Sequence, residues 1–188
     1  MKDTIQNEFN EHIKVSNLLH NLTGQVATAA QICINCLKNS GKILIFGNGG
    51  SASDAQHIAA ELVGRYKTTR KGLSAIALST DTSILTSIGN DFGYKHIFSR
   101  QVEALANTGD VAIGISTSGR SENVINALKR ASELNCHTIG FSGQDGGEMN
   151  KLCDNNLVIP SDDTPRIQEM HIVIGHTICH LIDQEFKT

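Results

Sequence analysis

The chain has 188 residues, of which 39% are apolar and 19% charged, with a net charge of -3; this length predicts a single domain. The charge balance implies no basic face for nucleic acid or an anionic membrane, and no apolar run is long enough for a membrane-spanning helix. The polar, acidic start is unlike a signal peptide, so a soluble cytoplasmic protein is expected. The five cysteines are an odd number in a chain of this size and predict reduced thiols rather than a disulfide framework.

The predicted elements begin with two helices, at about Asp3–His20 and Thr23–Lys38. Five short apolar runs, each ending in small or polar residues, are the predicted strands: Lys42–Phe46, Ser74–Leu78, Asp110–Ile115, His137–Phe141 and Leu157–Ile159. Helical spacing of apolar residues occurs at Ser51–Arg65, Tyr94–Ala106, Ser121–Leu134 and about Pro165–Phe186, the last with Thr164 as its cap. Because the strands are apolar throughout rather than alternating, they predict a parallel sheet in an α/β fold.

Two strand ends carry residues suited to binding a phosphate. Gly47–Ser51 is rich in glycine and Ser116–Ser121 is rich in hydroxyls, and a predicted helix follows each of them. Helix N-termini offer free N–H groups and a positive dipole end, although such segments also occur as tight turns or simple helix caps. Arg120 either adds charge to the second segment or faces water.

The type of phosphate ligand is narrowed by known motifs. The Walker pattern is absent, and Gly47–Ala52 matches the dinucleotide fingerprint only formally, because Thr69, Arg70 and Lys71 stand where that motif has an acidic residue. A small sugar phosphate is therefore favoured, and a dinucleotide-dependent oxidoreductase is a weaker alternative.

Ionisable residues gather on two predicted helices. His57, Glu61 and Arg65 follow one another at steps of four and share a helix face, where a His–Glu pair can bind a metal, act as acid and base, or simply be solvated. The last helix carries Gln168, Glu169, His171, His176 and His180. Thr177 stands where a zincin has its glutamate, so that class is excluded; a single histidine on such a helix is more often a core or interface residue.

A C-x-x-C pair at Cys33 and Cys36 lies inside an apolar helical pattern rather than at a helix start after a strand. We interpret these two cysteines as packing residues, because a redox C-x-x-C pair lies at the start of a helix that follows a strand.

Five segments together identify a family: GNGGSASDAQHIAAELVGRY, GNDFGY, FSRQVEA, GDVAIGISTSGRSENV and TPRIQEMHIVIGHTICHLI. They resemble the phosphoheptose isomerases of the sugar isomerase (SIS) domain superfamily. The resemblance implies a three-layer α-β-α sandwich of the SIS, flavodoxin-like type, in which residues 1–40 form helices for oligomer packing and residues 41–188 form the sugar-phosphate-binding core. It also implies a cytoplasmic homotetramer that contains zinc and converts sedoheptulose 7-phosphate into an aldose, glycero-manno-heptose 7-phosphate, for activated-heptose biosynthesis.

The resemblance assigns roles by position. Glu61 is the implied base and His176 its partner acid/base, and the implied zinc ligands are His57, Glu61, Gln168 and His176. The implied substrate-binding residues are Asn48, Gly49, Gly50, Glu61, Asn90, Asp91, Ser116, Thr117, Ser118, Ser121 and Gln168. No role is transferred to Asp81–Thr86 or to the residues just before Arg166, where family members vary.

Two questions follow from these roles. Metal binding lowers the basicity of Glu61, so its two roles compete unless the metal shifts when substrate arrives. Gln168 and His176 are also separated by eight residues, about 12 Å along a helix, so either the Gln168 amide leans forward or another subunit supplies one ligand, which predicts an active site at a subunit interface. The main rival is a catalytically silent SIS protein that acts as an interaction module.

Overall fold

A computed structural model describes residues 1–187. The helices are α1 Lys2–Leu18, α2 Thr23–Lys38, α3 Gly50–Val63, α4 Thr82–Phe92, α5 Ser99–Leu105, α6 Glu122–Glu133, α7 Met149–Leu152 and α8 Thr164–Phe186. The strands are β1 Ile43–Gly47, β2 Ala75–Ala77, β3 Val111–Ser116, β4 His137–Gly143 and β5 Asn155–Ile159. Short 3-10 helices follow α1 and α4, at Leu19–Leu22 and Tyr94–His96.

The five strands form one parallel sheet in the order β2-β1-β3-β4-β5. Every residue of β1 and β3 is buried, which explains why these strands are apolar throughout rather than alternating. The predicted five-stranded parallel sheet is therefore confirmed.

Helices cover both faces of the sheet. Alternate residues of β1 point to opposite sides: Ile43 and Ile45 pack with α2, α3 and α8, whereas Leu44 and Phe46 pack with α5 and α6. This arrangement is the expected three-layer α-β-α sandwich. Within residues 1–187, no helix combines the length and apolarity needed to cross a membrane.

Three local predictions differ from the structure. Helix α4 was not predicted, because its serine, threonine, glycine and asparagine content is typical of loops; it begins where the Asp81 side chain accepts a hydrogen bond from the Ile84 N–H at 2.9 Å. The single helix predicted at Tyr94–Ala106 is divided, because Ile97 and Phe98 are both buried at the junction. Thr164, predicted as the cap of the last helix, is its first residue, and Asp163 precedes it.

The five cysteines are free thiols. Cys33 and Cys36 lie in α2 and face the core, and burial raises the pKa of both thiols, that of Cys36 to about 11. These contacts agree with the interpretation of the C-x-x-C pair as packing.

Candidate active site

The sheet order creates a crevice between β1 and β3. The chain leaves β1 toward β2 on one side and returns to β3 on the other. At such a switch point the loops at the carboxyl ends of the two strands diverge, and α/β proteins bind ligands there. The two predicted phosphate-binding segments are the loops that leave β1 and β3 at this edge, and they lead into α3 and α6.

The hydroxyl-rich loop after β3 brings serine hydroxyls together at the start of α6. The Ser116 and Ser121 hydroxyl oxygens lie 2.9 Å apart. Ser121 stands at the N-cap of α6, yet its side chain makes no capping hydrogen bond, so the loop is not explained as a cap alone. Its hydroxyls and the free N–H groups at the start of α6 form a cradle of the kind that binds phosphate.

A second loop, between β4 and α7, supports this cradle. Gly119 has a φ of +64°, and a Cβ there would lie 2.1 Å from the carbonyl oxygen of Gly146, so only glycine fits. The Glu148 N–H donates to the Gly119 carbonyl at 3.0 Å. The Arg120 guanidinium is 2.6 Å from Asp145 and lowers the pKa of that carboxyl. The ion pair of Arg120 with Asp145 therefore joins the two loops.

The glycine loop after β1 is held in place by side-chain hydrogen bonds to Asn48. The side chains of Asn48 and Asn123 exchange two hydrogen bonds, at 2.9 and 2.8 Å, and the Tyr94 hydroxyl donates to the Asn48 amide oxygen at 3.0 Å. The Asn48 amide therefore fixes the loop, and Gly49 bends it with a φ of +56°. Sequence reasoning missed Asn123 and Tyr94; their only signal was a position within the family segments.

Helices α3 and α8 bring together three predicted catalytic and metal-binding residues. The two helices pack closely at Gly175, where a Cβ would lie 2.6 Å from Ile58. The His57 Nε2 atom is 3.1 Å from the Glu61 Oε1 atom and 3.2 Å from the His176 Nε2 atom. A carboxylate and two imidazoles from segments more than a hundred positions apart thus share one small volume.

The chemistry of this cluster fits a divalent metal. Ligand atoms of the three residues all lie within 4.8 Å of one another. Zinc–nitrogen bonds of about 2.0–2.1 Å in a tetrahedral site separate neighbouring ligand atoms by roughly 3.3 Å, close to the 3.1 and 3.2 Å that separate His57 Nε2 from the other two residues. Two imidazole nitrogens at 3.2 Å also need a proton or cation between them.

Gln168 lies in a different part of the site. A Cβ on Gly50 would be 2.6 Å from the Gln168 Nε2 atom, so the amide rests on the start of α3. His176 follows eight residues later, about 12 Å along α8. Within one chain, Gln168 therefore belongs to the glycine-loop end of the crevice.

The other predicted residues are placed as follows. Asn90 and Asp91 are exposed near the end of α4, where their side chains hydrogen-bond at 2.7 Å. Glu169 pairs with His12 at 2.8 Å. His171 is a core residue, consistent with the simpler interpretation of such a histidine.

Two neighbours of the cluster were not predicted. Tyr66 stacks on His176, with ring centroids 5.3 Å apart and planes at 22°. Asp54 lies one turn before His57, and its Oδ2 atom is buried and has no hydrogen-bond partner among residues 1–187. Burial raises the pKa of Asp54 to about 6, although the nearby His57 lowers it. The i, i+3 spacing of Asp54 and His57 was the signal available in the sequence.

Comparison with known proteins points to one family. The SIS domain family matches residues 9–143. Phosphoheptose isomerase of Aliarcobacter butzleri (strain RM4018) is 61% identical over 188 residues, covering 100% of both chains. Phosphoheptose isomerase of Campylobacter jejuni subsp. jejuni serotype O:6 (strain 81116 / NCTC 11828) is 60% identical over 186 residues, covering 99% of this chain and 100% of its own. The solved phosphoheptose isomerase of Neisseria gonorrhoeae superposes with a TM-score of 0.92 at 46% identity, covering 97% of this chain and 98% of its own. The chain therefore belongs to the SIS domain family and, within it, to the phosphoheptose isomerases.

Proposed function

We propose that this enzyme interconverts D-sedoheptulose 7-phosphate and D-glycero-D-manno-heptose 7-phosphate, the first step toward the activated heptose of lipopolysaccharide core or capsule. The observation that carries the proposal is the cluster in which His57 lies 3.1 Å from Glu61 and 3.2 Å from His176. Sugar isomerisation requires such a carboxylate to carry a proton between two neighbouring carbons.

The phosphate end of the substrate is assigned to the loop after β3. Hydroxyls of Ser116, Thr117, Ser118 and Ser121, together with the N-terminus of α6, would bind the phosphate oxygens. The glycine loop Asn48–Gly50 and the amide of Gln168 would face the sugar chain, with Asn90 and Asp91 approaching from α4.

The reacting end is assigned to the cluster between α3 and α8. In the ketose-to-aldose direction, the Glu61 carboxylate takes a proton from C1, and an enediolate forms as the C1–C2 double bond replaces the C2 carbonyl. His176 moves a proton between O1 and O2, and Glu61 returns its proton to C2. The opposite direction uses the same groups in reverse.

A zinc ion is proposed at the same cluster, held by His57, Glu61 and His176, with Gln168 as the fourth protein ligand. When bound, the ion would polarise the two substrate oxygens and stabilise negative charge on them. Metal binding and proton transfer compete for the Glu61 carboxylate, so we propose that this ligand is released when the substrate arrives.

A homotetramer with active sites at subunit interfaces is proposed as the working form. Helix α1 exposes Ile5, Phe9 and Ile13 at steps of four, so one apolar face of this helix is open. Val173 of α8 is 41% exposed beside a groove between α2 and α8. Because Gln168 lies far along α8 from His176, the Gln168 amide that reaches a metal would come from a neighbouring subunit.

Mixed oligomers test this interface. Glu61→Gln and Gln168→Ala chains are expected to be inactive alone, and co-assembled chains to regain activity, because a site then combines Glu61 of one chain with Gln168 of another. Separately purified tetramers, combined without subunit exchange, are the control. If the co-assembled tetramers are inactive, Glu61 and Gln168 act together within one chain. Fully active monomers would exclude an active site built from two subunits.

The catalytic assignment is tested with Glu61→Gln. Turnover is expected to fall by several orders of magnitude, at least the roughly 10²–10⁴-fold that a general base supplies, while substrate binding is kept. Glu133→Gln, at the far end of α6, is the matched control. Near-normal turnover by Glu61→Gln excludes Glu61 as the base, and wild-type protein that binds sugar phosphate without turnover would instead be a silent SIS module.

A further inference from the structure

A buried ion pair lies just beyond the catalytic cluster. Arg70, in the segment between α3 and β2, donates from Nε to the Asp183 Oδ1 atom of α8 at 2.6 Å. The two side chains are 1% and 0% exposed. Burial opposes ionisation of Asp183, yet N–H bonds from Thr68, Lys67 and Arg70 keep its pKa below the usual range, so the pair is charged.

The guanidinium of Arg70 is bonded directly to the end of α3. Its Nη2 atom donates to the Glu61 carbonyl at 2.9 Å, and its Nη1 atom donates to the Leu62 carbonyl at 2.8 Å. Carbonyls in the last turn of a helix lack partners within the helix. Arg70 supplies partners for two of them, and one belongs to the residue that carries the catalytic carboxylate.

The second oxygen of Asp183 shapes the segment that follows α3. It accepts hydrogen bonds from the backbone N–H groups of Lys67 at 2.7 Å and Thr68 at 2.9 Å. These bonds fix the chain directly after Tyr66, whose ring stacks on His176. The same ring meets His180 edge-on, with centroids 6.2 Å apart.

Stability alone is a weak explanation for this pair. Replacing a buried ion pair by packed apolar residues is often neutral or stabilising, because desolvation offsets the attraction between the charges. An arginine does, however, provide several donors in one rigid plane, which fixes the relative positions of the groups it binds. Here those groups belong to α3 and α8, the two helices that carry Glu61 and His176.

We propose that Arg70 and Asp183 are positioning residues, which hold Glu61 through its carbonyl and His176 through the stacked ring of Tyr66. This inference rests on the roles proposed above for Glu61 and His176. Neither Arg70 nor Asp183 touches the reacting atoms. Their contribution is to set the distance between the carboxylate and the imidazole.

Substitutions at Tyr66 give the sharpest test. The hydroxyl of Tyr66 has no hydrogen bond within residues 1–187, so Tyr66→Phe keeps the stacking ring and Tyr66→Leu removes it. Misplacement of a catalytic group by about 1 Å can cost about 10²-fold in rate. We expect Tyr66→Leu to lower kcat by about 10–100-fold with KM within about twofold, and Tyr66→Phe to restore kcat.

Arg70→Lys tests the other side of the pair. Lysine keeps the charge opposite Asp183 and loses the planar fork that binds the Glu61 and Leu62 carbonyls, so kcat is again expected to fall by about 10-fold or more at similar KM. Circular dichroism and sedimentation establish that each variant is folded and assembled. If Arg70→Lys fails to fold, the comparison of Tyr66→Leu with Tyr66→Phe decides the positioning proposal by itself.

Glu61→Gln, measured alongside, separates the two proposals. Its retention of turnover would exclude Glu61 as the base, which is the part of the proposed function on which the positioning proposal rests. If Glu61→Gln is inactive while Tyr66→Leu and Arg70→Lys keep kcat within about twofold, only the positioning proposal is overturned. A rise in KM at constant kcat, or equal loss in Tyr66→Phe and Tyr66→Leu, would also refute it.

Discussion

The buried histidine His171 predicts a specific dependence of stability on pH. It is fully buried on α8, where its Nε2 atom lies 3.0 Å from the Ser142 carbonyl oxygen. Since a carbonyl can only accept, Nε2 carries the proton. Nδ1 is buried and has no partner among residues 1–187, so protonation would leave a charged N–H group without an acceptor. Burial lowers the pKa of His171 from 6.5 to about 4, although the bond to Ser142 raises it.

The sign and the size of the effect follow from these values. Between pH 6.5 and about 4 the unfolded chain binds a proton that the folded chain does not bind, so stability falls as pH falls through this window. At about 1.36 kcal/mol per pH unit, the loss approaches about 3 kcal/mol at pH 4. Above pH 6.5 the contribution of His171 to the free energy of unfolding is fully present.

His171→Gln is the matched comparison, because its amide can donate to Ser142 and cannot become charged. Urea unfolding at one protein concentration, at pH 7 and at pH 4, gives the free energy of unfolding for both proteins. The wild type is expected to lose about 3 kcal/mol more than His171→Gln. Asp54, whose carboxyl pKa is raised, titrates in both proteins and cancels in the difference. Parallel pH dependences would refute the argument.

Three other predictions concern the loops and the thiols. Gly119→Ala places a Cβ 2.1 Å from the Gly146 carbonyl oxygen, so steady-state kinetics should show a raised KM for the sugar phosphate; an unchanged KM would exclude the loop from phosphate binding. Asn123→Ala removes both hydrogen bonds between the two amides and leaves the Asn48 NH2 group without its acceptor, so the free energy of unfolding should fall by about 1–3 kcal/mol and kcat/KM should fall with it, as chemical denaturation and kinetics would show. Iodoacetamide at neutral pH should label the four buried thiols, Cys33, Cys36, Cys136 and Cys179, far more slowly in the native protein than in the urea-unfolded chain, as mass spectrometry would show, whereas equal rates would contradict their burial.

Much of the fold was predictable because local chemistry and tertiary structure agree. The five strands are apolar on both faces, and a parallel sheet covered by helices is the structure that buries both faces. Helix α4 was not predicted, because its polar residues favour loops when taken by themselves. Its helical structure is explained by the packing of residues such as Ile88 against the core. The boundary at Ile97 and Phe98 was likewise set by packing rather than by periodicity.

The cluster of His57, Glu61 and His176 was only partly predictable from the sequence. The His57–Glu61 pair follows from helix geometry, since residues four apart share a face. The contact of His57 with His176 depends on the packing of α3 against α8, which spacing alone does not determine. Tyr66 was visible only as the last residue of a family segment, and Arg70 gave no signal of its proposed role, because the contacts of both residues arise from a segment that folds back over α8.

The amino-acid sequence by itself determined the parallel sheet, the glycine-rich and hydroxyl-rich loops at its edge and the family, because apolar runs, glycines and hydroxyls are local properties with local consequences. Only the tertiary structure decided that Gln168 lies beside Gly50, away from His57 and His176, and that Arg70 and Asp183 join the two helices that carry Glu61 and His176. Those relations depend on how two helices pack along one another, and close packing is a property of the whole fold rather than of either segment.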